Sequence, residues 1–344
     1  MSTNTFQFIQ RSALLFVCSA ILGAVPRPAL SSGAFVHLAA AEKARSEVKK
    51  SVKDNLTGPY VAWYYAGVAF PDAMLQVNRS TGSWAHFGSF LQNAAQQMSE
   101  NCPSVGAKYA GDVTCKELIA FYLGVLSHVM VDYRFDSNFV RRTKNSCPAF
   151  KDYTLSGDVQ EWTDEVLDAV AACKQRGYFS DTIFGKDRKF VVRYPTGFIS
   201  DVARVTKRAL TEKQIRDGYR KWLDATIKGE RDLVSAGVFC ETALATGVGM
   251  SFSNKISGNP WKKCEWATKE RNYWSNTKSS GSVADMAKDF LPPLLEATYD
   301  RLVASFGKKA DWPTFYHNKK SWPDERLCLA WTAWTRVSSQ NCPK

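Results

Sequence analysis

Along the chain, apolar residues recur every three to four positions far more often than they alternate, which predicts helices and few strands. Ala34 to Val52 is alanine-rich, carries charge at Glu42, Lys43, Arg45 and Glu47, and predicts a first helix. Trp84 to Met98 predicts a second, with Phe87, Phe90, Leu91 and Ala94 on one face. Thr114 to about Phe135 predicts the longest apolar helix. Its Leu118, Ile119, Phe121, Tyr122, Leu123, Val125, Leu126, Val129 and Met130 cover most of the circumference, as in a central, buried helix. Thr114 with Glu117 three residues on has the pattern of a capping box, in which each side chain bonds the other's amide. Asp158 to Lys174, Thr211 to Val238 and Ser282 to Phe306 are also predicted helical, the last bent or interrupted at Pro292-Pro293. Residues 251–281, rich in Ser, Asn, Lys and Gly with Trp261, Trp266 and Trp274 interleaved, read as a long ordered loop. With no internal repeat or low-complexity linker, the expectation is one all-α, multi-helix domain over residues 34–344 with an elaborated C-terminal part.

The segment before Ala34 follows another pattern. Arg11 precedes an apolar run from Ser12 to Val25, and Pro26, Pro28 and small residues follow. A basic lead, a short apolar stretch and a small-residue exit describe a signal peptide over residues 1–33, cleaved after Gly33. The run is too short to span a bilayer comfortably. The cysteines agree with export. Apart from Cys18 in the leader there are eight, an even number, which suits four disulfides in an oxidising compartment. None forms a Cys-x-x-Cys pair, so a thiolate zinc site is not expected. Asn55-Leu56-Thr57 and Asn78-Arg79-Ser80 are glycosylation triplets of the same compartment. A secreted, extracellular glycoprotein is the expectation. Removal of Arg11 and Arg27 with the leader leaves +10 of the formal +12 charge. Such a chain is drawn to anionic surfaces, although its cations are scattered in short groups such as Arg141-Arg142 and Lys319-Lys320.

Only four histidines occur, His37, His86, His128 and His317. His317 has no partner at ligand spacing and reads as a surface or structural histidine. His128, Asp132 and Asp136 are each four apart in the most apolar predicted helix, so one helical face stacks an imidazole and two carboxylates. Ionised carboxylates are costly to bury alone, which implies a cationic partner. Upstream lie Tyr64-Tyr65-Ala66-Gly67-Val68-Ala69-Phe70-Pro71-Asp72 and Ser83-Trp84-Ala85-His86-Phe87; downstream lies Ser156-Gly157-Asp158-Val159-Gln160-Glu161.

In this order and context the chain resembles the zinc-dependent phospholipase C family, including its glycosylphosphatidylinositol phospholipase D branch, over roughly residues 34–175. The resemblance implies an all-α fold with a cluster of up to three zinc ions in a cleft between helices. It also implies hydrolysis of phosphodiester bonds in phospholipid or lipid-anchor headgroups at a membrane surface. His37 stands where the family has a histidine on its first helix, and Asp72 and His86 match its aspartate and later histidine in an aromatic setting. His128 and Asp132 match its buried His-x-x-x-Asp, with Asp132 as the carboxylate that bridges two metals, and Asp72 as the group that orients or deprotonates the attacking water. Two departures concern a third metal. Asp136 and Thr154 stand where histidines are expected, which leaves the third position empty, open to another cation, or served by oxygen ligands from Asp136, Asp158 and Glu161. No tryptophan precedes His37 to serve as the amino-terminal ligand of the family's bacterial members. The expectation is therefore fewer than three tightly held zinc ions, any ion near Asp136 and Asp158 being weak. Two rival readings stand beside this one: a single-strand nuclease of the related superfold, with nucleic acid the less favoured partner, and a degenerate membrane- or partner-binding pseudoenzyme.

Overall fold

The computed structural model describes residues 34–86, 89–134, 193–235, 283–310 and 312. Among these, helices dominate, as the periodicity predicts: α1 Ala34–Glu47, α2 Lys50–Lys53, α3 Val61–Leu75, α4 Arg79–His86, α5 Ser89–Asn101, α6 Cys115–Arg134, α7 Thr196–Val205, α8 Glu212–Ser235 and α9 Val283–Ser305. The chain is an all-α, multi-helix protein. The described strands are β1 Lys108–Ala110 and β2 Val113–Thr114, an antiparallel hairpin that turns at Gly111, whose φ of 57° favours glycine. The expected leader, the predicted helix Asp158 to Lys174, the predicted loop 251–281 and His317 lie outside the described residues.

Central to the fold are α3 and α6, which share its most extensive helix contact. Every α3 residue from Trp63 to Met74 is buried, and α6 is buried from Leu118 to Val131. The pair fits closely because two glycines face each other. A Cβ on Gly67 would lie 1.9 Å from the Phe121 carbonyl oxygen, and one on Gly124 would lie 2.0 Å from that of Tyr64. Around the pair, α1 and α9 pack on one another and on α6, while α4 and α8 pack on α3. Phe70, Trp84, Phe90 and Phe121 fill the space between α3, α4, α5 and α6, with Phe70 and Phe90 centroids 4.5 Å apart.

Local signals account for several boundaries. The Thr114 amide bonds Glu117 Oε2 at 2.8 Å and the Glu117 amide bonds Thr114 Oγ1 at 3.3 Å, so the expected capping box opens α6. Thr211 and Gln214 make the same reciprocal pair before α8. A disulfide, Cys102–Cys115, ties the residue after α5 to the first turn of α6. The other seven cysteines lie outside the described residues.

Elsewhere tertiary contacts shift the predicted elements. The helix expected over Ala34 to Val52 breaks after Glu47, because Lys49 turns extended and gives its amide to Glu296 of α9 at 2.6 Å. The helix expected from Trp84 starts earlier, where Asn78 Oδ1 accepts the Thr81 amide at 2.8 Å. That helix ends at His86, and α5 starts separately at Ser89. Of the bend or interruption expected at Pro292-Pro293, the interruption does not occur: α9 runs through both prolines, held by the buried Leu291, Leu294, Leu295 and Leu302. Neither α3 nor α7 was predicted: α3 is apolar nearly all round and contains Pro71, so it offers no helical stripe to read.

Candidate metal centre

Five of the seven residues singled out as metal ligands meet between four helices. His37 comes from α1, Asp72 from the last turn of α3, His86 from the end of α4, and His128 and Asp132 from α6. Two overlapping groups, His37 with Asp72 and His128, and His86 with His128 and Asp132, each bring their ligand atoms within 4.8 Å of one another. His128 belongs to both. Asp136 and Asp158, like Thr154 and Glu161, lie outside the described residues.

The α3–α6 approach fixes the central imidazole. Because Gly67 and Gly124 let the two backbones close up, His128 Nδ1 reaches the Val68 carbonyl at 2.7 Å. A carbonyl oxygen only accepts, so Nδ1 carries the proton and Nε2 presents a lone pair. His86 is set in the same way by its own helix, its Nδ1 donating to the Gly82 carbonyl at 2.8 Å. The two Nε2 atoms then face each other at 3.3 Å. Two bare lone pairs at that distance repel, so the geometry calls for a cation or a shared proton between them.

Two carboxylates complete the pattern. Asp132 Oδ2 lies 3.2 Å from His128 Nε2 and 3.4 Å from His86 Nε2, while its Oδ1 lies 2.9 Å from His37 Nε2. Asp72 Oδ1 lies 3.4 Å from His86 Nε2 and 3.8 Å from His128 Nε2. His37 stacks flat on His128, ring centroids 3.7 Å apart. His37, Asp72 and His128 are buried, whereas His86 and Asp132 keep 13% and 21% side-chain exposure, so the cluster opens to solvent on their side.

Titration behaviour follows from this crowding. Burial works against a charge on His86, yet the hydrogen bond to Asp72 and the nearby Asp132 outweigh it and raise its pKa to about 9. Burial, with His37 adding to it, pushes His128 the other way, below its ordinary value. Burial would raise Asp72 and Asp132, but the surrounding imidazoles overcome it, and Asp132 in particular is held well below the carboxylate range. The cluster thus keeps anionic oxygens beside a neutral His128 and a His86 that holds a proton. His and Asp groups of this protein are positioned to bind a metal ion, and each of His86 and His128 donates its other ring nitrogen to a backbone carbonyl, as metal-ligating imidazoles commonly do.

The groups that support this arrangement are the carbonyls of Val68 and Gly82, and Gly67 and Gly124, of which only Gly124 stands out in the sequence, in the Phe121-Tyr122-Leu123-Gly124 lead into His128. Isolated glycines inside apolar helices were the available signal, since each weakens its helix unless packing needs it. Tyr64 and Ser127 were missed. Their hydroxyls lie 3.0 Å apart, and Tyr64 also reaches the Ala41 carbonyl at 3.0 Å, tying α1 and its His37 to α3 and α6. Compared with known proteins, the chain matches no family model, no curated protein and no solved structure.

Proposed function

We propose that this chain is a zinc-dependent phosphodiesterase similar to the zinc-dependent phospholipases C, acting on phospholipid or lipid-anchor headgroups. The reading is carried by the facing Nε2 atoms of His86 and His128, 3.3 Å apart beside Asp72 and Asp132, with both Nδ1–H groups already used on carbonyls. Imidazole nitrogens with carboxylate oxygens suit zinc, a borderline-soft ion that takes both. His86, His128, Asp132 and Asp72 would hold one ion. His37 would hold a second, with Asp132 shared, since one oxygen faces His37 and the other faces the His86–His128 pair. When bound, zinc lowers the pKa of a coordinated water and neutralises charge on the phosphate oxygens.

The chain's own residues then have distinct tasks. His128 is held by Val68 and by its stacking on His37, so the nitrogen it offers is preorganised. Asp72, buried and ionised, orients the attacking water and takes its proton on a carboxylate oxygen. The side where His86 and Asp132 reach solvent is the entrance for an anionic phosphodiester. The export expected from the leader and the cysteines agrees with a headgroup substrate at a membrane surface.

The test pairs metal analysis with substrate assays on purified protein. We expect fewer than three tightly bound zinc ions, and headgroup release from phospholipid vesicles that stops on chelation. Cleavage of single-stranded nucleic acid with inert vesicles would instead assign the chain to the nuclease reading. Silence on both substrates with zinc bound would favour a binding protein.

A further inference from the structure

The metal centre makes no use of the two Asn-x-Ser/Thr triplets, and the fold treats them in opposite ways. Asn55 follows α2 and is only 4% exposed. Its Nδ2 donates to the Ser51 carbonyl at 2.6 Å and to the Tyr299 hydroxyl of α9 at 3.1 Å. Both hydrogens of that amide are committed inside the protein, and a sugar in place of either would separate α9 from the loop it packs on. Asn78, by contrast, is exposed at the start of α4. Its Oδ1 accepts the Thr81 amide at 2.8 Å and the Thr81 hydroxyl at 3.0 Å, capping the helix. Its Nδ2 makes no hydrogen bond among the described residues. Glycosylation replaces one Nδ2 hydrogen and leaves Oδ1 in place, so the cap survives it.

We propose that Asn78 is the N-glycan acceptor of the folded, exported protein and that Asn55 is a silent triplet. The proposal rests on export of the chain, not on the phosphodiesterase reading. In the transfer, Asn78 Nδ2 bonds the anomeric carbon of a lipid-linked oligosaccharide pyrophosphate. The carbon–oxygen bond to the pyrophosphate breaks, the lipid pyrophosphate leaves with the electron pair, and the amide loses one proton. Transfer meets the chain before it folds, because in the folded protein Arg208 Nη1 donates to the Ser80 carbonyl at 3.2 Å and to Ser80 Oγ at 3.1 Å. At that stage both triplets are open, and the fold selects between the products. Chains carrying a glycan at Asn55 cannot seat Tyr299, whereas chains carrying one at Asn78 fold normally. The modified end of α4 lies about 12 Å from His86 at the other end, by the rise of a helix, so the metal centre is left alone.

The full chain is produced in a eukaryotic secretory host, and the exported protein is deglycosylated in heavy-oxygen water, which marks each former acceptor as aspartate. We expect the mark at Asn78 and none at Asn55. Asn78→Gln should lower the mass by one glycan, and Asn55→Gln should leave the glycan mass unchanged. Ser80→Ala removes the triplet but keeps the capping asparagine, so it should lose the glycan with an unchanged metal content and melting temperature. Exported protein bare at Asn78, or folded protein marked at Asn55, overturns the proposal, and a chain that is neither exported nor glycosylated overturns it together with its premise. A glycosylated protein that binds no metal would instead count against the phosphodiesterase reading alone.

Discussion

Ser99, Ser305 and Trp312 meet where α5, α9 and the segment after α9 join; His37, Asp72, His86, His128 and Asp132 meet where α1, α3, α4 and α6 join. Both are polar clusters inside a helical protein, and they are built on different plans. In the first, Trp312 Nε1 donates to Ser99 Oγ at 2.9 Å, and the Ser99 and Ser305 hydroxyls lie 2.6 Å apart, so one of them donates to the other and the accepting one donates to its own helix carbonyl, Ala95 at 2.9 Å or Leu302 at 2.8 Å. The Trp312 carbonyl in turn accepts from Gln92 at 2.8 Å. Donors and acceptors balance, all groups are neutral, and nothing from outside is required. In the second, the Nδ1–H groups of His86 and His128 are used on carbonyls and their Nε2 atoms face each other and the Asp72 and Asp132 carboxylates, with His37 Nε2 on the other Asp132 oxygen. That is a surplus of acceptors, which only a proton or a cation resolves. A buried polar cluster is thus diagnosed as structural or as ligand-seeking by its donor balance, not by its polarity.

Removing the ligand shared by both metal groups should break the contrast most sharply. His128→Ala is expected to release the tightly held metal and bring hydrolysis to background, read by elemental analysis and by headgroup release. Retained metal in a folded His128→Ala protein would show the ligand assignment to be wrong.

Gly124→Ala attacks the packing that sets the site. Its methyl would sit 2.0 Å from the Tyr64 carbonyl oxygen, so α3 and α6 must move apart, at a cost of about 3 kcal/mol or more. Denaturant unfolding should show that loss, and metal affinity should fall with it because the Val68 carbonyl draws away from His128.

Acid should act on the metal centre and leave the hydroxyl joint unaffected. With its pKa raised to about 9, His86 carries a proton in the metal-free protein at neutral pH, and metal must displace it. Affinity is therefore expected to rise about tenfold per pH unit from neutrality to roughly pH 9, with one proton released per metal in calorimetry using paired buffers. The sign is opposite for the metal-free fold. The His86 proton stabilises it fully below the ordinary imidazole value of 6.5, and that contribution is lost as pH rises through about 9. The lowered carboxylates contribute above 3.8 and lose their part as pH falls through their folded values. A pH-independent affinity would place the proton elsewhere.

The smallest effect is expected at the balanced joint. Ser99→Ala leaves Trp312 Nε1 without its acceptor and should cost about 1–3 kcal/mol in unfolding free energy, with metal content unchanged. A loss of metal in this variant would mean that the two clusters are coupled.

The sequence by itself determined the helical class, the buried character of α6, its capping box and the shared face of His128 and Asp132, whereas His37, Asp72 and His86 were candidates through the family resemblance alone. The determined features are properties of single helices or of residue chemistry. Periodicity is set within a few turns, Thr114 and Glu117 are three apart, and His128 and Asp132 share a face because they are four apart. Only the tertiary structure decided that His37, Asp72 and His86, from three other helices, close on that face. It also decided the break at Lys49, the burial of Asn55 and the reason for Gly67 and Gly124. Each of these depends on a partner far away in sequence: Glu296 for the Lys49 amide, Tyr299 for Asn55, the facing backbone for each glycine, and the Val68 carbonyl for His128. Periodicity reports which face of a helix is buried, but it carries no record of what that face will meet, and the nitrogen His128 offers to a metal is settled by that meeting.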